Sequence, residues 1–361
     1  ASGAEPGPVA EISVHDADVF ARLVREGDLG FCEAYLDGGW STPDLMAFMD
    51  LIHSGNEVIY DGFLAVQIAR LYERLRFWLK SNSRGQARRN IAAHYDLGND
   101  FYALWLDETM TYSSALFRSG QEPTETAQRQ KYAELVDAMN VEPGEHVLEI
   151  GCGWGGFAEY AAAQRGLNVT ALTISEEQAK FARDRMAKAG LSDRVDIRVQ
   201  DYRDVRGSFA GIASIEMFEA VGERYWPQFF NVLRERLQPS RRAVLQIITV
   251  ADARWELYRR GVDFIQKYIF PGGMLPAPKV LRAEIERAGL SVAGSFEFGQ
   301  SYSQTLRRWY DTFNARWDEA AHMGFDERFR RMWNLYLTGC AAAFRSETCD
   351  VTQIAVTAPA R

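Results

Sequence analysis

The residues best placed to do chemistry crowd one turn of the chain, Glu149-Ile150-Gly151-Cys152-Gly153-Trp154-Gly155-Gly156. An apolar run, Val147-Leu148, leads into it, and a helical pattern from Phe157 leads out. Glycines at alternate positions let the backbone turn sharply and approach a ligand closely. The helix N-terminus behind them offers unpaired N–H groups. The spacing is E-x-G-x-G-x-G, not the G-x-G-x-x-G of dinucleotide cradles, and it suits a nucleoside without a pyrophosphate. Polar residues also end the later apolar runs: Thr173-Ile174-Ser175-Glu176-Glu177-Gln178, Asp201-Tyr202, Glu216-Met217-Phe218-Glu219 and Gln246-Ile247-Ile248. Upstream, His94-Tyr95-Asp96-Leu97-Gly98-Asn99-Asp100-Phe101-Tyr102 and Met110-Thr111-Tyr112-Ser113-Ser114-Ala115 mix aromatic and polar residues around single glycines. Loops of that kind carry function more often than packing.

The elements that must hold these residues follow from periodicity. Helix 125–139 leads to strand 146–150, helix 155–165 to strand 168–172, and helix 176–189 to strand 194–199. Strand 210–215, helix 225–237 and strand 243–250 continue the alternation, which predicts an α/β, doubly wound, parallel sheet. Ligands in such sheets lie at the strand C-termini near the topological switch, where the polar residues above fall. Residues 254–268 predict an inserted helix. Tyr268-Ile269-Phe270-Pro271-Gly272-Gly273-Met274-Leu275-Pro276 closes it as a rigid, greasy loop suited to a lid. Helix 279–288, strand 291–297, helices 303–319 and 326–345, and strand 351–357 complete seven strands.

Composition narrows the partners. The 361 residues are 47% hydrophobic, and the net charge of −8 disfavours nucleic acid. The four cysteines, Cys32, Cys152, Cys340 and Cys349, form no C-x-x-C pair, which points to reduced thiols in the cytoplasm. No apolar run reaches the ~18 residues of a membrane span, no signal-peptide pattern is visible, and no metal site is expected. Residues 1–10 read as a disordered tail and 11–60 as a small helical domain. Residues 61–90 read as an amphipathic helix and linker, and 91–361 as the catalytic domain with its insertion at about 254–278. Arg70, Arg74, Arg76, Lys80, Arg84, Arg88 and Arg89 face only Glu73 in an otherwise acidic chain. This basic island reads as a solvated helix face or as an interfacial helix facing anionic lipid.

The ordered motifs H-Y-D-L-G-N-D-F-Y, T-Y-S-S-A, L-E-I-G-C-G-W-G-G, L-T-I-S-E-E-Q, M-F-E-A-V-G, Y-I-F-P-G-G-M-L-P and Y-x-x-T-L-x-x-W-Y resemble the cyclopropane-fatty-acyl-phospholipid synthases and mycolic acid cyclopropane synthases. The resemblance runs from about Gly27 to the C-terminus. It implies a seven-stranded Rossmann-like class I methyltransferase fold. Its Gly27–Trp40 part is similar to the lipid-binding domain of the phospholipid-acting members. S-adenosylmethionine is the implied cofactor, cradled by Glu149, Gly151 and Gly153 and touched by Tyr112 and Ser113. Thr173 and Gln178 match the ribose side, and Asp201 and Tyr202 the adenine side. The implied setting is cytoplasmic and peripheral at the inner membrane face, with unsaturated phospholipids as partners and a homodimer as the suggested assembly.

The implied reaction is methyl transfer to the cis double bond of an acyl chain, followed by loss of a proton that closes a cyclopropane. An alkene is a weak nucleophile, so proximity and a dry channel must do much of the work. In the family a bicarbonate takes the proton. Its matching positions here are Cys152 and Ile248 through backbone N–H, and Glu219, Gln246 and Tyr302 through side chains. Two positions depart from the family. Ala220 stands where M-F-E-H-V-G has histidine, and the strand that usually ends L-H-T-I reads Leu245-Gln246-Ile247-Ile248. Gln246 can donate a hydrogen bond but carries no proton that titrates near neutrality. Two products therefore compete, a cyclopropane and a methyl-branched unsaturated chain without ring closure. A small-molecule methyltransferase and a lipid-binding pseudoenzyme are the readings from other classes.

Overall fold

Each apolar run from His146 onward becomes a strand, and together they close one seven-stranded sheet. The computed structural model describes residues 9–54 and 97–359. The tail, the helix and basic island of 61–90, and His94-Tyr95-Asp96 lie outside the described residues. Two short strands, β1 (Ser13–Val14) and β2 (Trp40–Ser41), pair antiparallel near the start. The large sheet contains β3 (His146–Ile150), β4 (Asn168–Thr173), β5 (Val195–Val199), β6 (Phe209–Ile215), β7 (Leu237–Val250), β8 (Ser291–Glu297) and β9 (Cys349–Thr357). Its order is β5-β4-β3-β6-β7-β9-β8; β9 runs antiparallel to both neighbours and the other pairs are parallel. The chain builds outward from β3 to β5 and then returns to place β6 on the other side. The switch point thus falls at β3, whose C-terminal end is the glycine turn.

The helices cover the sheet as their periodicity requires. On one face, α4 (Thr124–Met139), α5 (Gly156–Arg165) and α6 (Glu176–Lys188) bury Leu135, Phe157, Ala161 and Ala182 against Val147 and Val169. On the other, α7 (Trp226–Arg236) and α10 (Pro278–Arg287) bury Phe229, Phe230, Leu281 and Ile285 against Ile212 and Leu245. A third, aromatic-rich core lies above the strand ends. It joins α3 (Asn99–Trp105), α11 (Gly299–Ala315) and α13 (Glu327–Arg345) through Tyr102, Trp105, Trp309, Trp333 and Tyr336.

Several boundaries differ from expectation for local reasons. The expected helix 254–268 is two, α8 (Trp255–Arg260) and α9 (Phe264–Tyr268). Gly261 breaks it, and Asp263 restarts it with a capping box to Gln266. The expected helix 303–319 starts earlier and breaks at Arg316 before α12 (Trp317–His322). Strand β7 begins at Leu237 because Leu237 pairs with Phe209 across a bulge.

The N-terminal helices are α1 (Asp18–Leu36), kinked at Gly27 (φ 66°), and α2 (Leu45–Ser54). Among the described residues they share a core with α11 and α13. Trp40, fully buried, and Tyr35 join the aromatic core. Asp50 pairs with Arg345, and the Tyr35 carbonyl accepts from Arg331 Nη1 at 3.2 Å. Truncating a buried Trp of this kind to Ala costs about 3–5 kcal/mol.

Candidate active site

The glycine turn is built as its spacing requires. Gly151 (φ 87°), Gly153 (φ 50°) and Gly155 (φ 85°) all take left-handed backbone that side chains disfavour. A Cβ at Gly151 would stand 2.7 Å from Met217 Cγ. The N–H groups of Gly151 and Cys152 donate to the Leu172 carbonyl at 3.0 and 2.8 Å, which staples the turn to β4. Glu149 is buried below it, and its Oε2 has no partner. Burial raises its pKa to about 8, with Lys131 pulling it down. An orphaned buried acceptor in a glycine cradle fits a donor such as the ammonium of an amino-acid moiety, which S-adenosylmethionine carries.

The structure brings Thr173 and Gln178 together at the end of β4. The Thr173 hydroxyl donates to Gln178 Oε1 at 2.9 Å, and Ser175 caps α6 by accepting from the Gln178 N–H. At the end of β5 the Asp201 carboxylate already accepts from Arg203, at 2.8 Å from Nε and 2.5 Å from Nη2. A purine would share that carboxylate with Arg203. The Tyr202 ring lies edge-on to Phe229 at 5.5 Å, on the α7 side.

Tyr112 and Ser113 divide their work. The Tyr112 ring packs among Tyr102, Trp105 and Trp309, and its hydroxyl bonds that of Tyr336 at 2.7 Å. Ser113 instead points into α4. Its Oγ accepts from Lys131 Nζ at 2.7 Å, and its carbonyl accepts from Gln128 Nε2 at 3.0 Å. The Ser113 side chain therefore holds the loop against α4. Lys131 escaped the sequence reading although its signal was present. It occupies the apolar stripe of α4 with Gln128, Leu135 and Met139, where a lysine is fully buried. Burial lowers its pKa to about 7, opposed by Glu216, Asp107 and Glu149. Asn99 was also missed as a partner of the turn: its Oδ1 accepts from Trp154 Nε1 at 2.7 Å. The greasy loop brings Phe270 to 6.2 Å from Tyr112, and its Met274 N–H donates to the Glu219 carbonyl at 2.9 Å.

The expected bicarbonate cradle is the part the structure corrects. Gln246 and Tyr302 do converge, but on Glu216. Glu216 Oε1 accepts from Gln246 Nε2 at 2.7 Å and from the Ser114 N–H at 2.8 Å, and Oε2 accepts from the Tyr302 hydroxyl at 2.6 Å. The Ile248 N–H donates to Glu219 Oε1 at 2.6 Å, and the Cys152 N–H to Leu172. All four expected anion donors are thus engaged by the chain itself, and the residues present do not fit a bound bicarbonate. Glu219 keeps its other oxygen buried and unpartnered, and burial beside Glu216 raises its pKa to about 8. Burial also raises the pKa of Glu216, while Tyr302, Lys131 and Gln246 favour its charged form. The Cys152 thiol is pushed well up by burial beside Glu149, as befits a packed side chain.

A surface depression at Val136, Asn140, Pro143 and Arg165 lies by the N-terminal end of β3, away from this chemistry.

Comparison with known proteins agrees with this geometry. The family model for mycolic acid cyclopropane synthetase matches residues 82–354. A tuberculostearic acid methyltransferase of Mycobacterium tuberculosis is 40% identical, with 98% of this chain and 84% of that protein covered. A cyclopropane-fatty-acyl-phospholipid synthase of Escherichia coli is 36% identical, with 96% and 87% covered. A mycolic acid cyclopropane synthase solved with SAH and CTAB superposes with a TM-score of 0.70 at 29% identity, covering 75% of this chain and 98% of that one. A glycine cradle at the switch point, an orphaned carboxylate within it and this match over most of the chain lead to one conclusion: the chain belongs to the mycolic acid cyclopropane synthetase family and is a methyltransferase that uses S-adenosylmethionine.

Proposed function

We propose that this enzyme methylates the cis double bond of an unsaturated phospholipid acyl chain at a membrane surface and releases a methyl-branched unsaturated chain without ring closure. The observation that carries the reading is the Glu216 carboxylate, seated on Gln246 and Tyr302 at the edge of an aromatic wall. Tyr112 and Phe270, partly exposed and backed by the buried Trp105, Trp309 and Tyr336, supply apolar surface suited to an acyl chain. When bound, the cofactor supplies an electrophilic methyl on a sulfonium. The glycine turn orients it, and the aromatic wall excludes water from the cation that methyl transfer leaves behind.

The position of the negative charge favours the open product. The expected anion would have shared the Cys152 N–H, on the cofactor's own loop. The Glu216 carboxylate sits instead on the Tyr302 side, toward α11. On this reading a base on that side takes its proton from the acyl chain, whereas ring closure needs one from the transferred methyl. The names of similar proteins point to both outcomes and do not decide between them.

Among the described residues no helix is long and apolar enough to cross a membrane. Delivery of a lipid then falls to surface docking, for which the basic island at 70–89 is the candidate in the sequence. Replacing Arg74, Arg76 and Lys80 with glutamine should weaken binding to anionic vesicles, most steeply at low salt. The deciding experiment incubates the enzyme with methyl-labelled S-adenosylmethionine and vesicles of a monounsaturated phospholipid. The released acyl chains are then separated chromatographically. A labelled, branched chain that still takes up hydrogen over a catalyst supports the proposal. A product consisting only of cyclopropane overturns the open-chain outcome, and no labelled lipid at all overturns the substrate.

A further inference from the structure

The carboxylate that fills the expected bicarbonate cradle belongs to the chain, and its surroundings are those of a working base. We infer that Glu216 is the built-in proton acceptor of this enzyme, which makes its reaction independent of dissolved bicarbonate. This assignment rests on the lipid-methylation reading above and adds to it the identity of the base.

Three observations carry it. The first is geometric. Gln246, Tyr302 and the Ser114 N–H converge on Glu216 from β7, α11 and the loop before α4. Oε1 accepts two of these bonds and Oε2 only one, so Oε2 keeps a lone pair free to take a proton. The second is conformational. Glu216 is held at φ 48°, left-handed backbone that a residue with a long side chain rarely adopts. Its own N–H is fixed by the Gln246 carbonyl at 2.8 Å. Backbone held in that state at a strand end aims the side chain across the site, and such conformations cluster where function requires them.

The third is the division of labour between two neighbouring carboxyls. Glu216 receives three donors and the field of the buried Lys131, which lies on α4. Glu219 receives one donor and is repelled by Glu216. Adjacent carboxyls in unequal surroundings titrate apart. Glu219 is raised to about 8 and holds its proton near neutrality; Glu216 is also raised by burial, but Tyr302, Lys131, Gln246 and the Ser114 N–H all favour its charged form. The charged and titratable groups that act on Glu216 are thus Lys131 from α4, Tyr302 from α11 and Glu219 from the segment after β6.

The step balances without a further reagent. The π pair of the acyl double bond forms a carbon–carbon bond to the sulfonium methyl while the carbon–sulfur bond breaks and its pair stays on sulfur. The other alkene carbon is left positive. A C–H bond next to it gives its proton to Glu216 Oε2, and the pair of that bond becomes the new double bond. Glu216 ends as a carboxylic acid and the lipid ends neutral.

The test uses the full-length enzyme, monounsaturated phospholipid vesicles and labelled S-adenosylmethionine in carbonate-free buffer under CO2-free gas, with and without added bicarbonate. Wild type should turn over equally in both, within about twofold. Glu216→Gln, which keeps the shape, should lose about 10²–10⁴-fold in turnover while calorimetry gives an unchanged cofactor affinity. Glu216→Gly should be slow without bicarbonate and recover with it, because the donors of Gln246 and Tyr302 are released for an external anion. Wild type that stops in carbonate-free buffer, or Glu216→Gln that runs at the wild-type rate, overturns the assignment while leaving lipid methylation standing. Wild type that binds cofactor yet labels no unsaturated lipid under either condition overturns the substrate reading instead.

Discussion

The two halves of the site are made in different ways. The cofactor half is one local turn, Glu149 to Gly156, shaped by backbone conformation and stapled to the adjoining strand. The proton-accepting half is assembled from remote pieces. Glu216 meets Gln246 across 30 residues of chain, Tyr302 across 86 and Ser114 across 102. A local turn tolerates little change because each glycine answers a steric demand. An assembled cluster can exchange its members while keeping its charge, and here a side-chain carboxylate stands where a dissolved anion was expected. The cofactor half therefore fixes which reagent is used, and the assembled half governs what becomes of the cation.

The sharpest way to break this comparison is at Gly151. Alanine there would put a methyl 2.7 Å from Met217 Cγ, on backbone at φ 87°. The left-handed state alone costs a side chain about 1–2 kcal/mol, and the clash moves the turn. We expect cofactor affinity, read by calorimetry, to fall more than tenfold. Turnover should fall about 10²-fold, the scale of a misplacement near 1 Å. Normal cofactor binding by Gly151→Ala would show that the turn does not approach the ligand.

The next effect probes the other half. Tyr302→Phe removes the hydroxyl that donates to Glu216 Oε2. A hydrogen bond to a charged group is worth about 1.5–3 kcal/mol, so turnover should drop roughly tenfold or more. That donor favours the ionised carboxylate, so its loss raises the pKa of Glu216 further. The acidic limb of the pH–rate profile should move to higher pH, with cofactor affinity unchanged. An unmoved limb would separate Tyr302 from the titrating base.

How far each half could be read from sequence follows from the same contrast. The turn and the succession of strands and helices along the chain rest on spacing within a few residues, and spacing is visible in a sequence. The sequence also marked Gln246 and Ala220 as departures. It did not reveal what compensates, because Glu216 becomes meaningful only when Tyr302 and Gln246 stand opposite it. Lys131 was legible in principle as a charge on an apolar stripe. Its bond to Ser113 was not, because the direction of a loop hydroxyl depends on which helix packs behind it. The N-terminal helices were predicted as elements, while their merging with the core of α13 is a tertiary fact that local pattern does not encode.

A third prediction concerns stability. Glu219 has a native pKa of about 8, raised chiefly by burial from an ordinary 4.5. Between those values the native protein holds a proton that the unfolded chain releases, so this group makes stability fall as pH rises through the window. Glu219→Gln removes the titration. In denaturant melts the variant should gain on wild type between pH 5.5 and pH 8.5, with no further gain above that. An advantage independent of pH would place the ionised form in the native state.

The smallest effect tests whether the halves are separable. Thr173→Val deletes the hydroxyl that donates to Gln178 and leaves the strand's shape intact. One neutral hydrogen bond is worth about 1 kcal/mol, so the concentration of S-adenosylmethionine giving half-maximal rate should rise about fivefold. Thr173 has no bond to the Glu216 cluster, so the ratio of branched to cyclopropane product and the acidic limb should both stay where they are. Tyr302→Phe should do the reverse, moving the pH profile and leaving cofactor demand alone. If Thr173→Val also alters the product ratio, the position of the methyl in the cradle shares control of the cation's fate, and the boundary between the two halves must be drawn inside the glycine turn.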